Sequence, residues 1–174
     1  DLKGSPFLAE LAAAQLGLST VALFVDRPSV CKELAEASVA ALMELGLEAY
    51  ADHARVNEAQ ALMLCGQADQ ALRQLLSLRA KVEETTLEFA RITQFMGDAY
   101  LRLQMFAMAE RTYATALELP GLQGETLNLA NAALGQAEAA LAQGRLEAGQ
   151  KGLLEALKHY RAAGNQFWIG YTSA

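Results

Sequence analysis

Residues 93–121 read TQFMGDAYLRLQMFAMAERTYATALELPG, and the architecture of the chain turns on them. Small residues stand at Gly97, Ala109 and Ala116, large rings at Tyr100, Phe106 and Tyr113, and Pro120 closes the stretch. Small and large positions alternate at fixed offsets across two helical runs. Two antiparallel helices need that alternation where their backbones approach closely.

Working outward, the same punctuation recurs. Upstream, Gly66 separates a run from about Ala49 to Cys65 from one at about 68–83, and before them Ser5 and Pro6 start a helix to about Val25. Serine can cap free amides there, and proline at the first helical position has no amide hydrogen to leave unpaired. Asp26, Arg27 and Pro28 end that helix and start another, which Gly46 stops near Leu45. Downstream, Gly144 divides runs of about 125–143 and 146–163, and Gly164 and Asn165 end the last. Residues 166–174 read as the beginning of a further helix, with Phe167, Trp168, Ile169 and Tyr171 ready to cap the preceding pair.

Composition agrees with an all-α chain. Hydrophobic residues make up 53% of the 174, much of it Ala and Leu, with only three prolines. Ala and Leu lose little side-chain entropy in a helix. The length suits one domain with one shared core. The net charge of −6 argues against direct nucleic-acid contact, which needs clustered cations to neutralise phosphates. The longest uncharged run, LAAAQLGLSTVALFV after Glu10, has 15 residues, short of the roughly 20 a membrane-spanning helix requires. Cys31 and Cys65 lie 34 residues apart in no metal or redox spacing, and both are expected to pack as small apolar side chains in a reducing, cytoplasmic setting. The start at Asp1 and the end inside a helix-like run suggest a piece of a longer protein.

The order of residues at Gly97, Tyr100, Phe106, Ala109, Tyr113, Ala116 and Pro120 resembles one tetratricopeptide repeat. On the same pattern lie Ala59, Leu62, Ala68, Ala71, Leu75 and Leu78, then Ala137, Ala140, Leu146, Gly149, Leu153 and Ala156. From Ala59 to Gly97 is 38 residues and from Gly97 to Ala137 is 40, against about 34 for the commonest unit. Longer units of this kind look like those in bacterial regulators and signalling ATPases, and the extra residues are expected to lengthen each second helix and the link that follows. Leu78 is large where the pattern is small, which predicts looser packing there. The resemblance implies a superhelical solenoid of antiparallel helix pairs at about 6–46, 49–83, 86–121 and 125–163, with a partial helix at 166–174. The first pair joins it by helix count alone.

Stacked hairpins create a concave face, which in the family is lined by each pair's first helix. Carried over position by position, that lining comprises His53, Asn57 and Gln60, with Val56, Met63 and Leu64; Arg91, Gln94, Phe95, Asp98 and Arg102, with Leu101; and Asn131 and Glu138, with Leu134 and Leu141. Met63, Leu64, Leu101 and Leu141 read more simply as packing residues at helix ends. The family's paired-lysine clamp for a terminal carboxylate is missing from the matching places.

Catalysis finds no support. His53 and His159 are the only histidines, 106 residues apart, and no nucleophile, base or metal-ligand spacing appears. Gly149 and Gly152 sit inside a helical pattern and read as close packing. The expected function is therefore a non-enzymatic scaffold without cofactor or metal, binding a protein or peptide on the concave face. The alternative is a small-molecule or partner-sensing segment of a bacterial transcription regulator or signalling ATPase. The apolar first helix and the exposed array ends add an expectation of self-association.

Overall fold

The fold is that of a computed structural model, which describes residues 6–165 together with 169 and 172. The cap expected at Ser5, and the closing rings expected at Phe167, Trp168 and Tyr171, lie outside the described residues. Among those described there are eight α-helices, one 3-10 turn and no strand. The chain divides into two compact units, 1–78 and 79–174.

One turn recurs at the helix junctions. At Gly46, Gly66 and Gly144 the backbone enters the left-handed region, with φ of 72°, 78° and 74°. Around Gly66, Gln67 N donates to Leu62 O at 2.8 Å and Gly66 N to Met63 O at 3.2 Å, so the carbonyls left over at the helix end are satisfied. The same pair of bonds forms around Gln104, where Met105 N reaches Tyr100 O at 2.9 Å and Gln104 N reaches Leu101 O at 3.0 Å. There the left-handed residue, φ 59°, is not glycine. A side chain in that conformation costs roughly 1 kcal/mol. Replacing Gln104 with glycine is expected to stabilise the protein by about 1 kcal/mol, seen as a raised urea midpoint at unchanged slope. A lowered midpoint would contradict this account of the turn.

In the first unit, α1 (Pro6–Phe24), α2 (Pro28–Glu44) and α3 (Glu48–Leu64) pack each on the next, and α1 also meets α3. Alanine carries the closest approaches: Ala12, Ala41, Ala51 and Ala54 cluster with Leu42. The buried polar residues Ser19, Ser38 and Asn57 are bonded, whereas the buried carbonyl oxygen of Gln15 accepts no hydrogen bond among the described residues. Asn57 Nδ2 on α3 donates to both Ser19 Oγ and Thr20 Oγ1 of α1 at 2.9 Å, and Ser38 Oγ of α2 donates to Ala12 O at 3.0 Å. Cys31 donates its thiol to Asn57 O at 3.6 Å, and burial, with a smaller effect from Cys65, pushes that thiol up to about 11, so it keeps its proton. Cys65 departs from expectation: it follows the last turn of α3 and is exposed. The next helix, α4 (Ala68–Arg79), is tied to α3 by Gln74 Nε2, which donates to Arg55 O at 2.8 Å and Glu58 Oε2 at 2.9 Å.

The sequence pattern carried α4 on to 83, and the structure ends it at Arg79. Thr86 supplies the reason. Its side-chain oxygen accepts from Phe89 N at 3.2 Å and its hydroxyl donates to Glu83 O at 2.7 Å, a capped start that fixes the preceding residues as a link. The residues between α4 and α5 therefore form a link and not an extension of α4, which has 12 residues against 17 in α3. Leu78 is 2% exposed.

The second unit contains α5 (Leu87–Arg102), α6 (Phe106–Glu118), a 3-10 turn at Pro120–Leu122, α7 (Thr126–Ala142) and α8 (Leu146–Ala162). Again each helix packs on the next, and α5 meets α7. Tyr113 of α6 is the central plug, its ring lying against Gly97 of α5 and Gly135 of α7. A Cβ at Gly97 would lie 2.7 Å from Tyr113 Cε1, and one at Gly135 would run into the same ring. Gly149 and Gly152 make room for Leu141 and Ala137, the close packing expected of them. Ile169 rests on a cluster of Ala130, Ala133, Leu134, Ala156 and Tyr160.

Candidate binding face

On α5, Gln94, Phe95, Asp98 and Arg102 lie three, four, seven and eleven residues beyond Arg91, which sets all five on one side of the helix. The side chains are not equivalent. Arg102 is exposed, while Arg91, Phe95 and Asp98 are half-buried. The Arg91 guanidinium lies 5.9 Å from the Phe95 ring centroid and 3.6 Å from Glu88 Oε2, so a cation rests over an aromatic face. Gln94 is 4% exposed, and its carbonyl oxygen accepts no hydrogen bond among the described residues.

Asp98 joins this face to the core. Its carboxylate accepts the Tyr113 hydroxyl at 2.5 Å. Burial pushes the Asp98 carboxyl up from 3.8 to about 6; the Tyr113 bond and Arg102 pull it down, and Glu138 of α7 pushes it up. The tyrosine, buried and beside a carboxylate, is pushed well above its usual range and stays protonated. Asp98, Arg102 and Glu138 thus form one electrostatic group shared by α5 and α7. Asn131, two turns before Glu138 on α7, accepts the hydroxyl of buried Tyr160 at 2.7 Å. Its carbonyl oxygen orients α8 as well as lining α7.

His53, Asn57 and Gln60 belong to the other unit. His53 and Gln60 are half-buried on α3, but Asn57 is 3% exposed and spends its amide hydrogens on Ser19 and Thr20. Arg55, between them in sequence, pairs with Asp52 at 2.5 Å.

The residue pattern did not reveal the tyrosine hydroxyl partners or the ion pair between Arg145 and Glu110, which Gln143 joins by donating to Glu110 Oε2 at 3.1 Å. Their signal is faint: a tyrosine at a core position needs a partner for its hydroxyl, and nothing in its spacing says which. Among the described residues no three His, Cys, Asp or Glu side chains gather as metal ligands would, and no helix is long and apolar enough to cross a membrane. Compared with protein-family models and with curated proteins, the chain matches none.

Proposed function

We propose that the protein is a helical-repeat scaffold of the tetratricopeptide type that holds a peptide or protein segment against the first helices of its pairs. Two features support the architecture. The positions Gly97, Ala109, Tyr113 and Ala116 are all buried packing positions, and first helices meet one another, α1 with α3 and α5 with α7, as stacked pairs require.

The observation that carries the binding reading is Gln94. An amide oxygen buried without a partner costs about 1 to 3 kcal/mol; that of Gln94 has none among the described residues, and a donor from a bound peptide backbone would recover the loss once the side chain turned outward to meet it. Around it, Phe95 offers an apolar surface, and Arg91 and Arg102 offer cations that can orient a carboxylate or a carbonyl.

The test begins with peptides selected on the purified protein from a random display library. Replacing Phe95 and Arg102 together with alanine is expected to weaken a selected peptide at least about tenfold, or 1.4 kcal/mol, at unchanged helix content. Unchanged affinity removes this face from the site. Gln94→Met separates binding from packing. On this reading it stabilises the free protein while weakening the peptide, whereas a merely structural glutamine loses stability and leaves the peptide unaffected.

A further inference from the structure

The outer side of α1 carries a row of apolar side chains that packing among the described residues leaves uncovered. Phe7, Leu11, Leu18, Val21 and Val25, which follows the last turn, are between 41% and 66% exposed, and Ala14 completes their row. Their spacing alternates strictly between four and three residues, the spacing of a coiled-coil seam. The inner side of the same helix is a separate row, with Ala12, Ser19 and Ala22 buried and Leu8, Leu16 and Leu23 partly so. Helix α1 is therefore apolar on two sides, and the other described residues cover one of them.

Gly17 is a second observation on the same surface. Glycine within a helix costs about 1 kcal/mol relative to alanine, and a close neighbour is the usual reason to keep one. Here a Cβ would meet nothing within 4 Å, so no neighbour among the described residues accounts for it.

We propose that this surface pairs with the same surface of a second copy, the two α1 helices lying antiparallel across a two-fold axis near Leu16 and Gly17. Three arguments select that occupant. The row reads alike in both directions: with the helices antiparallel, Phe7 faces Val25, Leu11 faces Val21, and Ala14 faces Leu18, a large residue against a smaller one at each level. Gly17 then falls beside the axis, where two backbones approach most closely. Charge selects the direction, because Glu10 is the only charged residue of α1. Parallel helices would set the two Glu10 carboxylates abreast, whereas antiparallel ones hold them about 18 Å apart at 1.5 Å per residue and oppose the helix dipoles. Area is sufficient, since the exposed parts of these side chains amount to about 500 Å² per copy, or about 1,000 Å² for the pair, the lower bound of a specific interface. A lipid surface fits less well, for interfacial helices carry Lys and Arg on their polar side and α1 has neither.

Sedimentation equilibrium of the whole chain, from about 1 to 100 μM as suits a micromolar pairing, is expected to show twice the chain mass at the upper end. Leu11→Glu with Leu18→Glu, both at exposed positions, is expected to return the single-chain mass with helix content intact. A single-chain mass for the native sequence throughout, or a double mass that survives both substitutions, overturns the proposal. Direction is read by oxidative crosslinking in a Cys65→Ser background. Leu11→Cys combined with Val21→Cys is expected to give a covalent dimer and Leu11→Cys alone none; a dimer from Leu11→Cys alone overturns the antiparallel arrangement.

Discussion

Replacing Tyr113 with alanine is expected to cost about 3 to 5 kcal/mol of stability, the range for deleting a buried ring. The ring is fully buried and fills the space that two glycines, Gly97 and Gly135, leave on neighbouring helices. Neither backbone can close the gap without dragging its own helix along, so little of the cavity can collapse. Tyr113→Phe divides the loss. It keeps the packing and removes the donor to Asp98, for an expected cost of about 1 to 2 kcal/mol. Urea denaturation of the two variants checks both figures. A loss below about 1 kcal/mol for alanine would mean that Tyr113 does not join α5, α6 and α7.

The second large effect is a dependence on pH that resides in Asp98. Its carboxyl is pushed up to about 6 in the folded protein, first by burial, while in the unfolded chain it titrates near its ordinary value. Between those two pH values the folded state holds a proton that the unfolded chain has released. Stability contributed by this group therefore falls as pH rises from about 4 to 6 and stays lower above that. Asparagine at this position still accepts the Tyr113 hydroxyl but carries no charge. Asp98→Asn is expected to remove that part of the slope and to be more stable than the native sequence at pH 8, by on the order of 2 kcal/mol. Stability curves of both proteins from pH 4 to 8 provide the comparison, which cancels groups such as Glu155, whose carboxyl is shifted downward. Parallel curves would show that Asp98 has an ordinary carboxyl.

Helix number and most boundaries could be read from the chain because glycine marks the turns. Gly46, Gly66 and Gly144 occupy left-handed positions that other residues avoid. The same logic is silent at Gln104, which makes the same turn without glycine. It overran α4, where the decisive residue was not a helix breaker but the hydroxyl of Thr86 holding the start of the next helix. Packing positions such as Gly97 and Ala116 were legible because their size is dictated by a neighbour.

The candidate face was less legible. Helical spacing assigns Asn57, Gln94, Asp98 and Asn131 each to a side of its helix, but it cannot say which amide or carboxylate an inner hydroxyl will claim. Asn57 goes to Ser19 and Thr20, Asp98 to Tyr113 and Asn131 to Tyr160. These partners lie 15 to 38 residues away in sequence, and only the packed helices bring them together. Gln94 keeps an oxygen unclaimed among the described residues, which makes it the most informative residue of the face.

Amide hydrogen exchange of the protein, free and saturated with a selected peptide, tests the scaffold reading most directly. The account predicts added protection concentrated in α5 and α7, around Gln94, Asp98 and Asn131, with α6 and α8 little changed. Protection concentrated instead in α6 and α8, with α5 and α7 unaffected, would contradict it.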